Sequence, residues 1–342
     1  MAEALREKDP GSTIVFVGSR KGLESRFVGR EGYELRTIEA AALMGKGLGG
    51  KLAGLMAIPR GLGQSCRLLR SVRPDIVLGV GGYASGAVVL TAWAMGYKTA
   101  IHEQNSFPGL SNRILGRFVD RIFISFENSA ARFPRQKTVL TGNPVRKGLR
   151  RGPPAAPRPE KGEFTLFIFG GSQGAHRLNQ AMEESLPHFR GMKAKMRIIH
   201  QTGDRDYEFV RKFYEREGVA AEVHRFIHEM DQAYEAADLI LCRAGATTLF
   251  ELMGMGKPAI LVPYPYAAND HQTLNARALV DAGAALRVAD AELNGETLSR
   301  MVDELRKDPE RLKRMGERAA ALARPRAAEQ IAELCGQMVG HE

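Results

Sequence analysis

Cysteine is scarce in this 342-residue chain: Cys66, Cys242 and Cys335 stand far apart, with no Cys-x-x-Cys pair. That spacing excludes a disulfide framework and a thiolate metal site, and it suits a reducing cytosol. Long apolar runs are missing too. With no stretch of about 18 apolar residues, no transmembrane helix is expected. The opening residues 1–8 (MAEALREK) read as charged helix rather than signal peptide. Acid is absent from residues 44–70, where Lys46, Lys51, Arg60, Arg67 and Arg70 stand among Leu, Met and Ile. Such a segment suits shallow contact with an anionic lipid surface. A glycine-rich loop followed by a core-facing helix also accounts for it.

What is present is a globular composition, 44% hydrophobic and 26% charged, at a length that favours two domains. The net charge of +10 fits anionic headgroups or phosphorylated substrates, or simply a solvated basic surface. Nucleic acid is set aside, because no basic stripe interleaved with aromatics and no recognition motif occurs.

Short continuous apolar runs alternate with helical patterns. Residues 14–18 (IVFVG), 76–80, 122–125 and 139–142 read as buried strands, as do 164–170 (FTLFIFG), 196–201, 239–242 and 259–263. The fold class is α/β, doubly wound. Residues 150–162 (RRGPPAAPRPEKG) carry four prolines and five charges, which neither a helix nor a central strand accommodates. The domains are therefore placed at 1–149 and 163–320, joined by this linker. Pro325 is expected to break the C-terminal helical run, and residues 321–342 to return to the first domain. Two similar Rossmann-like halves facing a cleft follow.

Phe169–Ala175 (FGGSQGA) leads from a strand into a helix. Its glycines let backbone N–H groups approach a ligand, the helix points its positive end there, and Ser172 adds a hydroxyl donor. A diphosphate fits such a place without a metal; a plain tight turn fits it as well. The second cluster, CRAGATTLFE, puts Ala246, Thr247 and Thr248 at a helix start and Glu251 one turn further on. A carboxylate there can accept hydrogen bonds from vicinal ribose hydroxyls, or serve only the helix dipole. Asn269, Asp270, His271, Gln272 and Asn275 crowd one segment whose amides suit sugar hydroxyls. His271 lacks neighbours at metal spacing, so no metal site is expected. In the first half, IHEQNSFPG follows a strand, which puts His102, Glu103 and Asn105 in a ligand crevice by position. His102 and Glu103 are acid/base candidates, or members of a structural hydrogen-bond network. Arg146 could reach phosphate or sugar, and a surface arginine is the simpler reading.

The segments GGYASG, IHEQNSFPGLSNR, LTGNPVR, FGGSQGA, CRAGATTLFE and NDHQTLNA, in this order, closely resemble the MurG family. These are the UDP-N-acetylglucosamine:N-acetylmuramyl-(pentapeptide) pyrophosphoryl-undecaprenol N-acetylglucosaminyltransferases. The resemblance implies a GT-B fold and an inverting transfer of GlcNAc from UDP-GlcNAc to lipid I, giving lipid II. It implies no metal or cofactor, and work at the inner face of the cytoplasmic membrane. Carried over by position, the uracil meets Ile227 and the ribose meets Glu251. The diphosphate meets Ser172 and the helix start from Ala246 to Thr248, with Leu249 and Phe250 beside it. Gln272 and Asn275 read the GlcNAc hydroxyls, and Asn105 and Arg146 reach in from the first domain. One departure stands out. Family members open with a strand and a loop of the form GGTGGHxxPA, whereas residues 14–18 match the family's second strand. The expectation is a first domain whose central strand is missing, leaving its neighbours with unpaired backbone, and a chain that retains donor binding while losing transfer. Another GT-B UDP-sugar enzyme, or a nucleotide-sugar-binding protein without turnover, remains the alternative.

Overall fold

The computed structural model of the chain describes residues 1–19, 28–29, 31–39, 48–150, 163–189 and 196–340; of residues 48–58 and 83 it describes the backbone alone. The linker from 151 to 162 and Lys46 lie outside the described residues. The chain divides into two compact units, Met1–Asn143 with Arg326–Glu342, and Pro144–Pro325. The first boundary thus falls at Pro144, ahead of the proline-rich stretch expected to mark it. The reason is local packing. Leu149 is buried, and its carbonyl lies so close to Gly254 that a Cβ there would overlap it.

In the first unit, α1 (Ala2–Lys8) precedes the parallel pair β1 (Val15–Ser19) and β2 (Glu34–Ile38). Helix α2 (Leu48–Val72) follows, then β3 (Ile76–Gly79), α3 (Gly82–Ala94), β4 (Lys98–Glu103), α4 (Leu110–Leu115), β5 (Arg121–Ile124) and β6 (Thr138–Leu140). Helix α2 starts earlier than its glycine-rich composition suggests and carries Pro59 inside it; Leu69 on its last turns is buried against α3. Strands β3 to β6 form one parallel sheet in chain order. Among the described residues no ladder joins β1 to β3. Both nevertheless feed one apolar cluster, in which Val17 and Val77 pack with Ala84, Val88 and Ala92 of α3.

The second unit runs β7 (Phe164–Phe169), α5 (His176–Ser185), β8 (Met196–Gln201), α6 (Tyr207–Glu217), β9 (Ala221–His224), α7 (Met230–Ala236) and β10 (Leu239–Cys242). It continues through α8 (Ala246–Met255), β11 (Ala259–Leu261), α9 (His271–Asp281), β12 (Ala285–Arg287), α10 (Gly295–Arg306) and α11 (Pro309–Ala321). The sheet is parallel throughout, in the order β12-β11-β10-β7-β8-β9. Chain order reverses between β7 and β10, and in an open α/β sheet the crevice beyond the strand ends at such a point receives ligands.

Helix α11 ends at Ala321, and α12 (Ala327–Val339) begins past Pro325. Ile331 and Cys335 of α12 are buried with Ala100 and Phe123 of the first unit's sheet, and Met1 and Leu5 pack onto the same cluster. No helix among the described residues is long and apolar enough to cross a membrane.

Candidate functional site

Residues 165–169 of β7 are buried, and Phe169 lies level with Cys242 of β10. The loops that leave these two strands therefore emerge side by side. The first is the glycine loop. Gly171 and Gly174 have φ of +89° and +75°, a region that side-chain-bearing residues enter at a cost of about 1–2 kcal/mol. Gly174 also presses on the Thr202 carbonyl and Gly203 on the Gln173 carbonyl, so a Cβ at either would overlap backbone. The loop is held against the end of β8 by this contact. Ser172 stands exposed at its tip.

Gln201, the last residue of β8, clamps the arrangement from below. Its Nε2 donates to the Gly171 carbonyl at 3.0 Å, and its Oε1 accepts from the Ile227 N–H at 2.8 Å. The two places expected to meet diphosphate and uracil are thus bridged by one buried amide. The sequence reading did not single out Gln201, although a polar residue at the carboxyl end of a buried strand was a usable signal.

From β10 the chain enters α8 through Gly245, which supplies no side-chain cap, and the first helical turn carries no acid. Ala246, Thr247 and Thr248 form that turn, whose positive end faces the crevice. Leu249 and Phe250 are 0% and 4% exposed. Their side chains belong to the core, so the contact expected at these two positions would run through the backbone. Glu251 accepts a hydrogen bond from the Tyr234 hydroxyl on Oε2 at 2.9 Å. Burial pushes its carboxyl up from the ordinary value, while Tyr234 and the charge of Arg146 pull it back down. Arg146 belongs to the second unit, not to the first as the sequence suggested.

Gln272 accepts on Oε1 from the Ala244 and Tyr264 N–H groups, at 3.2 and 2.9 Å. It pins the loop before α8 to the loop after β11, and the NH2 end of the side chain takes no part in those bonds. Asn275 is buried and donates to the Ala244 carbonyl at 3.3 Å. Asn269 and Asp270 both adopt left-handed backbone, with φ of +54° and +51°, a conformation to which Asn and Asp are well suited. His271 bonds the Ala268 carbonyl through Nδ1 at 2.8 Å, and no cluster of metal-ligating side chains occurs among the described residues.

In the first unit the acid/base candidates are engaged internally. Glu103 is buried and accepts from the Asn105 N–H at 2.9 Å, from the Gly109 N–H at 3.1 Å and from Asn112 Nδ2 at 2.8 Å. It folds the loop after β4. His102 is buried, with Nε2 3.1 Å from the Gly142 carbonyl and 3.2 Å from Ser125 Oγ. Burial drives its pKa down to about 4. Both residues fit the structural network that the sequence left as an alternative. Asn105, at the same strand end, also donates Nδ2 to Glu103 at 3.3 Å.

Comparison with known proteins follows the same division. Residues 1–124 match the glycosyltransferase family 28 N-terminal domain and residues 165–331 its C-terminal domain. A UDP-N-acetylglucosamine--N-acetylmuramyl-(pentapeptide) pyrophosphoryl-undecaprenol N-acetylglucosamine transferase of Anaeromyxobacter dehalogenans is 47% identical over 341 residues, covering 99% of this chain and 88% of that protein. The chain belongs to the MurG family. A protein of the same name from Myxococcus xanthus is 48% identical over 98% of the chain and 87% of its own length. The crystal structure of Acinetobacter baumannii MurG superposes with a TM-score of 0.78 at 28% identity, covering 98% of this chain and 95% of that one. The fold is GT-B.

Proposed function

We propose that this MurG-family chain transfers GlcNAc from UDP-GlcNAc to the muramyl sugar of lipid I, giving lipid II in peptidoglycan synthesis. The observation that carries the reading is the pairing, at the switch point of the second sheet, of the glycine loop with the start of α8 and Glu251. Together they offer backbone donors to a diphosphate and a carboxylate to a ribose. Loss of the UDP leaving group builds negative charge on that diphosphate, and oriented N–H groups beside it lower the barrier. Ser172 extends the diphosphate site, Ile227 meets the uracil and Gln272 faces the sugar, while Asn275, which is buried, holds the Ala244 carbonyl. Arg146 adds a positive charge near Glu251.

Membrane partnership forms part of the proposal. Trp93, Leu110 and Ile114 are 43%, 47% and 48% exposed, and Leu110 and Ile114 share a surface hollow with Arg113, Arg117 and Arg132. Apolar residues ringed by cations suit an anionic headgroup layer. Pro59, Arg60, Arg67 and Arg70 of α2 are also exposed and support the lipid-facing part expected of that acid-free segment.

The test is UDP release measured with and without a lipid I analogue, beside calorimetric binding of UDP-GlcNAc in EDTA. Release that depends on the analogue supports the transferase. Binding without any release would make the chain a nucleotide-sugar-binding protein instead, and release without acceptor would point to another UDP-sugar enzyme.

A further inference from the structure

Tyr234 is wholly buried, yet its one polar atom is directed at a residue of the proposed nucleotide site. The ring stands edge-on to Phe167 and Phe169, with centroids 5.8 and 5.9 Å away and planes at 88° and 82°. Those two rings stack on each other at 4.8 Å and belong to the strand from which the glycine loop leaves. The hydroxyl is therefore fixed by the same element that fixes the diphosphate loop, and it donates to Glu251 Oε2. A glutamate left to itself has three soft torsions, and a ligand that needs one orientation must freeze them at a cost in entropy. A buried donor on one oxygen removes much of that freedom in advance.

We propose that Tyr234 is a positioning residue for ribose recognition: it holds the Glu251 carboxylate so that Oε1 meets the ribose diol of the nucleotide. The inference rests on the reading of Glu251 as the ribose acceptor. Because burial disfavours the charged carboxylate, the Tyr234 donor also helps Glu251 to remain an acceptor rather than a neutral acid.

The experiment compares UDP, 2′-deoxy-UDP, 3′-deoxy-UDP and UMP by calorimetry on the wild-type chain, Tyr234→Phe, Glu251→Ala and the double variant. The wild type is expected to prefer UDP to at least one deoxy analogue by about tenfold, the scale of a hydrogen bond to a charged group. Glu251→Ala should abolish the preference. Tyr234→Phe, which deletes one oxygen and keeps the ring, should bring it to about threefold or less while the UDP-to-UMP ratio stays unchanged. The double variant should match Glu251→Ala, because the two residues act as one unit. Ratios of affinities do not depend on the fraction of folded protein, so a loss of stability in Tyr234→Phe does not blur the result. Full preference retained in Tyr234→Phe, with loss in Glu251→Ala, overturns the role of Tyr234 and leaves the ribose site standing. So does a uniform loss of affinity for every ligand. Preference retained in Glu251→Ala overturns the ribose reading and this proposal with it.

Discussion

His200 gives the second unit a built-in sensitivity to acid. It lies on β8, one strand in from the edge of the sheet, fully buried, with Nε2 3.0 Å from Asn179 Oδ1 and Nδ1 2.9 Å from the Tyr214 hydroxyl. The amide oxygen can only accept, so Nε2 carries the proton and Nδ1 accepts from tyrosine. The ring is satisfied while neutral. Burial drives its pKa from the ordinary 6.5 down to about 3. The unfolded chain therefore binds a proton that the folded one refuses, and stability falls as pH drops below 6.5 toward 3. Between pH 8 and pH 5 the loss is roughly 2 kcal/mol from His200 alone. His102, held at about 4, adds a loss of the same sign in the first unit. Glu251, whose carboxyl is raised by burial, works the other way and offsets part of the effect in the second unit. Urea unfolding read by pulse hydrogen exchange separates β7 and β8 from β4 and β5 and so measures each unit. His200→Gln should be less stable at pH 8 by about 1–3 kcal/mol, since Asn179 and Tyr214 lose a buried partner. Its further loss on going to pH 5 should be less than half that of the wild type. A second unit whose stability stays flat to within about 0.5 kcal/mol between pH 8 and pH 5, or a variant with an undiminished slope, would refute the reasoning.

Gly174→Ala combines left-handed strain with overlap of the Thr202 carbonyl, a cost of about 2–4 kcal/mol. UDP affinity should fall at least tenfold while uridine affinity holds, and equal loss for both would count against the loop as the diphosphate site. Charge reversal at Lys46, Lys51 and Arg60 should weaken co-sedimentation with anionic liposomes, and the wild-type binding should fade with salt. Binding indifferent to lipid charge would leave those residues no part in membrane contact. Strands β1 and β3 share no ladder among the described residues, so their amides should exchange faster than those of β4 and β5, which are paired on both sides. Equal protection in native-state exchange would contradict this.

Which strands were legible follows from where they sit. The interior strands β7 and β10 are buried on both faces, and their sequences, FTLFIF and LILC, are nearly continuous apolar runs that can be read directly, whereas β8 (MRIIHQ) shows itself only through Met196, Ile198 and Ile199. Strands β2, β9 and β12 passed unread, and each lies at the edge of its sheet. In Glu34–Ile38 only Ile38 is buried, and Ala221–His224 alternates partly buried with exposed residues. Edge position alone does not hide a strand, since β1, β3 and β6 also end their sheets and were read; β2 and β9 were missed because Glu34, Arg36, Glu222 and His224 interrupt any apolar run. The glycine loop and the start of α8 were legible because backbone chemistry restricts which residues can stand there. Gln201 and Tyr234 were not, since their roles lie in hydrogen bonds to Gly171, Ile227 and Glu251, distant in sequence from at least one of the two.

The placement of residues 144–150 shows why a boundary read from proline content went astray. Prolines at 153, 154, 157 and 159 mark where regular structure cannot continue, but a unit ends where packing ends. Past Asn143 the chain is already committed to the second unit. Leu149 is 2% exposed, its carbonyl occupies the space a side chain at position 254 would need, and Gly148 lies beside Asp231 of α7. Gly254 is on α8, the helix that carries Glu251. Its bare Cα lets the segment approach, and the approach brings the Arg146 charge to bear on Glu251. Arg146, exposed itself, is thereby brought near the proposed nucleotide site through packing three residues further along the chain. Its charge works with the Tyr234 hydroxyl against the burial that would otherwise neutralise the carboxylate.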